Sequence, residues 1–462
     1  MIVHPAEGMT TTANAAKTPR IPRPDFMVRV YAALSGTMAT MQSARPVPAL
    51  DLRISIEDTD PLVWRTLRVP AALTVAEFHL VLQAAFGWEN RHLYAVRCVD
   101  PAGKPRVIMG PDDALEDLDA EPASGVVLSG LIDAEAPTTA LEYDYDFGDS
   151  WTHQVQLFGS AELPAGELLC VDGANRGPVE DSGGSHGYRR LVQILGDPRH
   201  PEHQDASYWT QGMTGIYGPS FDATEFDLAA ANRKLRLLSL QWWPRPVTDE
   251  ERDSVIRPVR WLLEQAAPEG IELTKDGYLK PVMVLRAVEE LGWSDPVMGK
   301  GNREVNVPLD RELREHCLEW KLLRKFKGRL VLTPRGKRAL ERPGDLWDYV
   351  VQAVALPKHD AVRLVTRLYA EWHLRGIAPP SYTDRTDVIR DAMETMGFVT
   401  RSGHRIPDEW VNDIHQVVRW NLKCLRLMEP KAGYFDPDLL TDGGAKFLLE
   451  VREVERTSSD AK

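Results

Sequence analysis

Carboxylates and one imidazole crowd a short stretch of this chain. Asp144, Asp146, Asp149 and His153 all fall within Tyr143-Asp144-Tyr145-Asp146-Phe147-Gly148-Asp149-Ser150-Trp151-Thr152-His153. Further on, Glu180-Asp181 adds two more acids. Oxygen donors with one ring nitrogen suit Mg²⁺, Mn²⁺ or Zn²⁺. An ion so held activates water for hydrolysis, phosphodiesters included. The candidate ligands are therefore Asp144, Asp146, His153, Glu180 and Asp181. Asp144 and Asp146 stand two apart in a strand-like run, which predicts a shared face and a separation of about 7 Å. The structural alternative is plain. Asp149 sets a turn, Trp151 and His153 pack together, and Glu180 and Asp181 accept backbone N–H groups or pair with Arg53, Arg65 or Arg176. No HExxH, paired HxH or Walker-type loop occurs.

The elements that position these residues are legible. Aromatics and acids alternate from Tyr143 to Phe147, and Trp151, His153, Val155 and Leu157 alternate after the turn, so Tyr143–Phe158 reads as a hairpin. Leu52, Ile54 and Ile56 alternate in a first strand, and Val63–Val69 is a second. Thr74-Val75-Ala76-Glu77 has capping-box spacing. The helix it opens carries Phe78, Val81, Leu82 and Ala85 on one face, with His79 inside it, and Gly87 marks its stop. Strands are expected near 106–109 and 126–132. Residues 160–187, rich in Gly and Pro, read as one long loop. A helix through Tyr188, Leu191, Val192 and Leu195 follows, then one capped by Asp222. Strands and helices without a βαβ rhythm imply an α+β domain.

Trp242-Trp243-Pro244-Arg245-Pro246 is read as a boundary. Beyond it the pattern is mostly helical. Helices at Pro281–Leu291 and Pro308–Leu323, then a hairpin turning at Lys327-Gly328, give the winged-helix order. A second such unit has helices at Thr386–Met396 and Pro407–Leu422 and a hairpin around Lys431-Ala432-Gly433. Leu332-Thr333-Pro334-Arg335-Gly336, Leu440-Thr441-Asp442-Gly443-Gly444 and Leu273-Thr274-Lys275-Asp276-Gly277 share a Leu-Thr-x-x-Gly element. The expected organisation is a disordered leader over 1–44, a domain over 48–240, and winged-helix-like units over 250–345 and 346–458.

A net charge of −13 argues against coating nucleic acid by bulk charge. A local patch survives that argument. Lys325, Lys327, Arg329, Arg335 and Lys337 lie in a stretch from 321 to 338 without Asp or Glu, and they are the candidate nucleic-acid contacts. Four scattered cysteines without a CxxC spacing fit a reducing, cytoplasmic setting. No apolar run is long enough for a membrane span.

An ordered set of short motifs then becomes informative. Trp64-Arg65, Phe86-Gly87-Trp88 with His92, Tyr143 and Tyr145 with Phe147-Gly148-Asp149 and Trp151, then Gly183-Gly184 and Tyr188, resemble the plasmid pRi ORF-3-like domain family. The resemblance covers about 48–240. It implies a bacterial α+β domain of unsettled biochemistry, often labelled a transposon-passenger TnpR protein and met on mobile elements. The family commonly reads Pro-Pro-Glu-Asp-Cys-Gly-Gly where this chain has Gly177-Pro178-Val179-Glu180-Asp181-Ser182-Gly183-Gly184. Ser182 therefore stands against any role needing a thiol there. A serine recombinase needs arginines around its nucleophile, whereas Ser150 and Ser182 have acidic neighbours.

The residues favour a non-enzymatic bacterial binding or regulatory protein that touches nucleic acid through the basic stretch. A metal-dependent hydrolase or nuclease is the alternative, and a protein–protein interaction module the other. No cofactor beyond a divalent metal is expected. DNA, a protein partner or a second copy of the chain remain open as partners.

Overall fold

The computed structural model describes residues 9–11, 45–100, 103–110, 120–132, 141–214, 221–267, 269–293, 303–376, 382–429 and 439–460. Two compact units divide between Pro244 and Arg245. One spans 22–244; the other spans 245–462 together with 1–21. The first strand, β1 (Met9–Thr11), belongs to the second unit. The rest of the expected 1–44 leader lies outside the described residues.

The N-terminal unit is α+β. Its strands are β2 (Pro46–Ile56), β3 (Trp64–Pro70), β4 (Tyr94–Val99), β5 (Pro105–Gly110), β6 (Glu121–Pro122), β7 (Leu141–Tyr145), β8 (Trp151–Pro164) and β9 (Leu169–Ala174). They form one sheet in the order β6-β5-β4-β7-β8-β2-β3-β9, antiparallel except for β5 and β6. Leu50, Leu52, Ile54 and Ile56 are buried, while Asp51, Arg53 and Ser55 between them are less so. That is the period-two signature of a strand with one face on a core. Helix α1 (Val75–Phe86) covers that face with Phe78, Val81, Leu82 and Phe86. Thr74 and Glu77 make the expected capping box, and Gly87 closes the helix at φ 87°.

Three expectations fail here. Residues 160–187 are not one loop. β8 continues to Pro164 because the first half of β2 needs a partner, and Pro46–Asp51 pairs with Gly159–Pro164. β9 is an edge strand with Leu169 and Val171 exposed, so its apolar pattern is weak. The segment 126–132 makes only the bridge Thr74↔Val127 and a short 3-10 turn at Leu128–Gly130. Its N–H groups go to Leu73 and Ala71 instead of a ladder. Helix α2 (Gly184–Gly196) follows, then α3 (His203–Thr214), which had no expectation. Helix α4 (Leu228–Trp242) is capped by Asp227, not Asp222; Asp222 instead holds a turn through the Thr224 N–H.

The C-terminal unit is mostly helical. Helix α5 (Asp249–Ala266) carries its own capping box from Thr248 and Glu251. Strand β10 (Ile271–Glu272), helix α6 (Pro281–Leu291) and helix α7 (Pro308–Glu319) come next. Strands β11 (Leu323–Phe326) and β12 (Arg329–Leu332) form the expected hairpin, with β10 beside β12. Helices α8 (Pro334–Glu341), α9 (Pro343–Ala355), α10 (Asp360–Arg375) and α11 (Tyr382–Thr395) follow. Strand β13 (Phe398–Thr400) pairs with β1, and α12 (Asp408–Cys424) and α13 (Asp442–Asp460) end the unit. The Lys431-Ala432-Gly433 turn lies outside the described residues; Met428 and Leu440 on either side form a bridge. No helix among the described residues is long and apolar enough to cross a membrane.

The Leu-Thr-x-x-Gly element proves to be a latch. Thr333 N–H bonds Leu322 O (3.0 Å), and Thr333 Oγ1 accepts from Gly336 N–H (3.0 Å). Thr441 repeats this on Leu427 O (2.9 Å) and Gly444 N–H (2.9 Å). A Cβ at Gly336 would stand 2.1 Å from Leu322 O, and one at Gly444 2.1 Å from Leu427 O. At Thr274 the same letters make a tight turn before Leu279 instead of a helix start. Gly336→Ala and Gly444→Ala are each expected to cost about 2–3 kcal/mol in urea denaturation, the size of an overpacked contact. Gly344→Ala, with nothing within 4 Å of its Cβ, is expected to be neutral or better.

Candidate metal centre

The connection after α1 supplies the first site residue. Gln83 Oε1 accepts the Asn90 N–H (2.6 Å), and His79 Nε2 meets Asn90 Oδ1 (2.7 Å). Tyr145 OH accepts the Arg91 N–H (2.9 Å), and Glu180 Oε1 accepts the Glu89 N–H (2.6 Å). Buried polar groups thus fix three consecutive residues, and His92 emerges next at the surface.

The β7–β8 turn supplies the second. Asp146 adopts φ 55°, in the left-handed region, so the alternation stops there. Its Oδ1 accepts from Gly148 N–H (3.0 Å) and Asp149 N–H (3.3 Å). Its Oδ2 stands 3.5 Å from His92 Nε2. The 175–183 connection supplies the rest. Asp149 Oδ2 accepts the Gly183 N–H (2.8 Å), fastening this connection to the turn. Gly184, at φ 67°, passes so close that a Cβ would lie 2.4 Å from Asp149 O. Asp181 Oδ1 then sits 3.0 Å from His92 Nε2, and Glu180 Oε2 3.8 Å from it.

Donor atoms of His92, Asp146 and Asp181 all lie within 4.8 Å of one another. With metal–ligand bonds of about 2.1 Å, neighbouring donors around one ion stand about 3 Å apart; His92, at 3.0 and 3.5 Å from the two carboxylates, is already in place, and the carboxylates would close toward each other. Asp146 and Glu180 each spend one oxygen on N–H or O–H donors and turn the other toward His92. Burial raises the Glu180 carboxyl above its ordinary value, opposed by the Glu89 N–H, Tyr145 and His92.

Two expected ligands are elsewhere. Asp144 is held by Arg97 and by Thr152 Oγ1 (2.7 Å), apart from Asp146, because the left-handed step at Asp146 ends the strand geometry that would align them. His153 is fully buried. Its Nδ1 lies against Tyr143 O (3.2 Å) and Trp151 O (3.1 Å), both acceptors, so Nδ1 carries the proton. Nε2 then accepts from the Trp88 indole N–H (3.3 Å) and has no lone pair left for a metal. Burial pushes His153 down to about 4. His79 is likewise buried, stacked on Tyr94 at 3.7 Å and pushed down to about 3.

Residues 48–230 match the family described as "Plasmid pRiA4b ORF-3-like protein". The uncharacterized protein y4hQ of Sinorhizobium fredii is 33% identical over 188 residues, 39% of this chain and 84% of that protein. The chain belongs to the plasmid pRiA4b ORF-3-like family. A crystal structure of a protein of unknown function from Methanosarcina mazei Go1 is 29% identical, with a TM-score of 0.35, over 39% of this chain and 96% of that one.

Several pRiA4b ORF-3-like motif residues prove architectural. Trp151, Tyr143, Tyr145 and Tyr188 are core side chains. Arg65 is 3% exposed and donates to Ala85 O, Trp64 O, Ala174 O and Asn175 O at 2.7–3.1 Å, with its guanidinium over Phe226. Phe147 is exposed at the turn beside Gly148. Ser182 Oγ, at the family's thiol position, is buried without a hydrogen-bond partner among the described residues. Cys170 bonds Asp172 O, and burial pushes its thiol up to about 11. His79, Gln83 and Asn90 escaped the sequence reading as site supports. The signal was two polar residues four apart on the apolar face of α1.

In the C-terminal unit the basic candidates divide. Arg329 donates to Glu269 O (2.8 Å) and Gly270 O (2.9 Å) and pairs with Glu272 (3.2 Å), so its guanidinium is spent inside the fold. Arg335 stacks on Tyr349 and donates to its hydroxyl (2.8 Å). Lys325, Lys327 and Lys337 are exposed and make no ion pair among the described residues. Lys327 turns the hairpin at φ 48°, beside Phe326, which is 46% exposed.

Proposed function

We propose that the N-terminal domain is a divalent-metal centre holding Zn²⁺ or Mn²⁺ through His92, Asp146 and Asp181, with Glu180 behind them. One observation carries this reading: three separate connections deliver donor atoms to a single point. Mixed nitrogen and carboxylate donors suit these ions. Three protein ligands leave positions for water or a substrate, as reactive sites do. The chemistry such a centre supplies is a polarised oxygen and a water that ionises near neutral pH, which fits hydrolysis of an ester or phosphodiester. Protein purified without chelator is expected to carry on the order of one ion per chain. Asp181→Asn or His92→Ala is expected to weaken retention 100-fold or more, and Asp144→Asn to leave it unchanged. Wild-type protein that holds no Zn²⁺ or Mn²⁺ after dialysis against either would reduce the cluster to an ion-pair latch.

A second reading concerns the C-terminal unit. Its helix–helix–hairpin order, read as winged-helix-like, presents Lys325 and Lys327 beside an exposed aromatic ring. That combination suits phosphate contact with base stacking. Lys325→Glu with Lys327→Glu is expected to abolish retention on single-stranded DNA at low salt. This reading keeps the chain a cytoplasmic binding or regulatory protein.

A further inference from the structure

A cavity of about 260 Å³ opens in the C-terminal unit among the end of α7, the start of α8, α9, the 356–359 connection, α10 and α12. It has room for roughly eight water molecules. Lys321, Arg335 and Lys358 line it, against the single carboxylate of Glu319. Trp320, Tyr349, Val354 and Leu422 give it apolar and aromatic walls.

Two of its lining side chains are incomplete. His316 is 5% exposed and has the Asn421 amide as its side-chain neighbour; neither His316 Nε2 nor Asn421 Oδ1 is in hydrogen-bond geometry with any other group among the described residues. Burial pushes His316 down to about 4, with Asn421 beside it opposing. The ring also stacks on Trp320 at 5.1 Å and 16°, which fixes its orientation. Unmade hydrogen bonds on buried groups carry a desolvation cost that a bound polar group relieves. Cations around a small cavity, with polar atoms left unpaired in its wall, are the features of a ligand site and not of a packing defect.

We propose that this cavity binds a small organic oxyanion, a carboxylate or a phosphate monoester. Its charge sits among Lys321, Arg335 and Lys358, its body lies against Trp320 and Tyr349, and a polar group reaches His316 and Asn421. The site shares no residue with the metal centre, so either stands without the other.

Isothermal titration of the full chain with benzoate, phenyl phosphate and inorganic phosphate tests this. One saturable site is expected for benzoate or phenyl phosphate, and the tighter of the two names the headgroup. Lys321→Gln with Lys358→Gln, both at exposed positions, is expected to weaken it tenfold or more, as is Asn421→Leu. Inorganic phosphate binding as tightly as the organic probes would overturn the organic ligand. No saturable binding of either organic probe, or unchanged affinity in the lysine pair, would overturn the site.

Discussion

Arg65→Leu is expected to lower the stability of the N-terminal unit by about 4 kcal/mol, a fall of roughly 10 °C in melting temperature. The guanidinium is almost fully buried yet has no carboxylate partner among the described residues; four carbonyls receive it instead. One of them, Ala85 O, is at the end of α1, where orphan carbonyls collect and a cation is favoured. Burial lowers its pKa to about 10, and it keeps its proton at neutral pH. Leucine removes the charge but strands carbonyls from α1, β3, the end of β9 and the residue after it together. Lysine, without the planar fork, is expected to recover less than half of the loss. Arg53→Leu, which removes a contact over Trp64 on the less buried face of β2, is the control and is expected to cost under about 1 kcal/mol. Equal losses in the two variants would refute the clamp.

Acid is expected to unfold the same unit between about pH 6 and 4. His79 and His153 are held down to about 3 and about 4 in the fold, against about 6.5 in an open chain. As the pH falls through 6.5 the unfolded chain binds protons that the fold refuses. The stability these rings contribute is complete above 6.5 and drains away down to their folded values. Shifts of that size amount to about 5 kcal/mol for His79 and about 3 kcal/mol for His153, together comparable to the whole stability of a typical domain. Glu180 works the other way, since its raised carboxyl accepts a proton in the fold first and adds stability as the pH falls. Two rings outweigh that one carboxyl. Tryptophan fluorescence followed across pH steps, with imidazole titration read by NMR, is the measurement. Rings that titrate near 6.5 in the folded protein would rule the mechanism out.

Local rules carried much of this fold. Leu52, Ile54 and Ile56 announced β2, Thr74 and Glu77 capped α1, and Lys327-Gly328 turned its hairpin. The candidate site was legible in part. Asp146, Glu180 and Asp181 converge, and His92 joins them. Asp144 and His153 misled because period two assigns faces only while the backbone stays extended. One left-handed residue, Asp146, redirected its carboxylate. Which face is core is a tertiary fact, and it put His153 against Trp88. Arg329 misled for a similar reason: its partners Glu269, Gly270 and Glu272 come from β10 and the turn before it, about sixty residues away in the chain. β9 hid because an edge strand needs little apolar alternation.

The strand order of the large sheet has a consequence for synthesis of the chain. β2 is made about a hundred residues before β8, yet it pairs with it along its length, Pro46 opposite Pro164 and Ile56 opposite His153. β3 waits longer still, for β9. As the polypeptide leaves the ribosome, the β2–β3 hairpin therefore has its β2 flank bare until Pro164 has emerged and its β3 flank bare until Ala174 has. Late, long-range closure of this kind makes for slow folding and a window in which nascent chains can pair with each other. The C-terminal unit has long-range closures of its own, α13 against α5 and α9 and Lys446 on Glu251, so slowed translation near residue 174 should act on the N-terminal unit without helping the helical one.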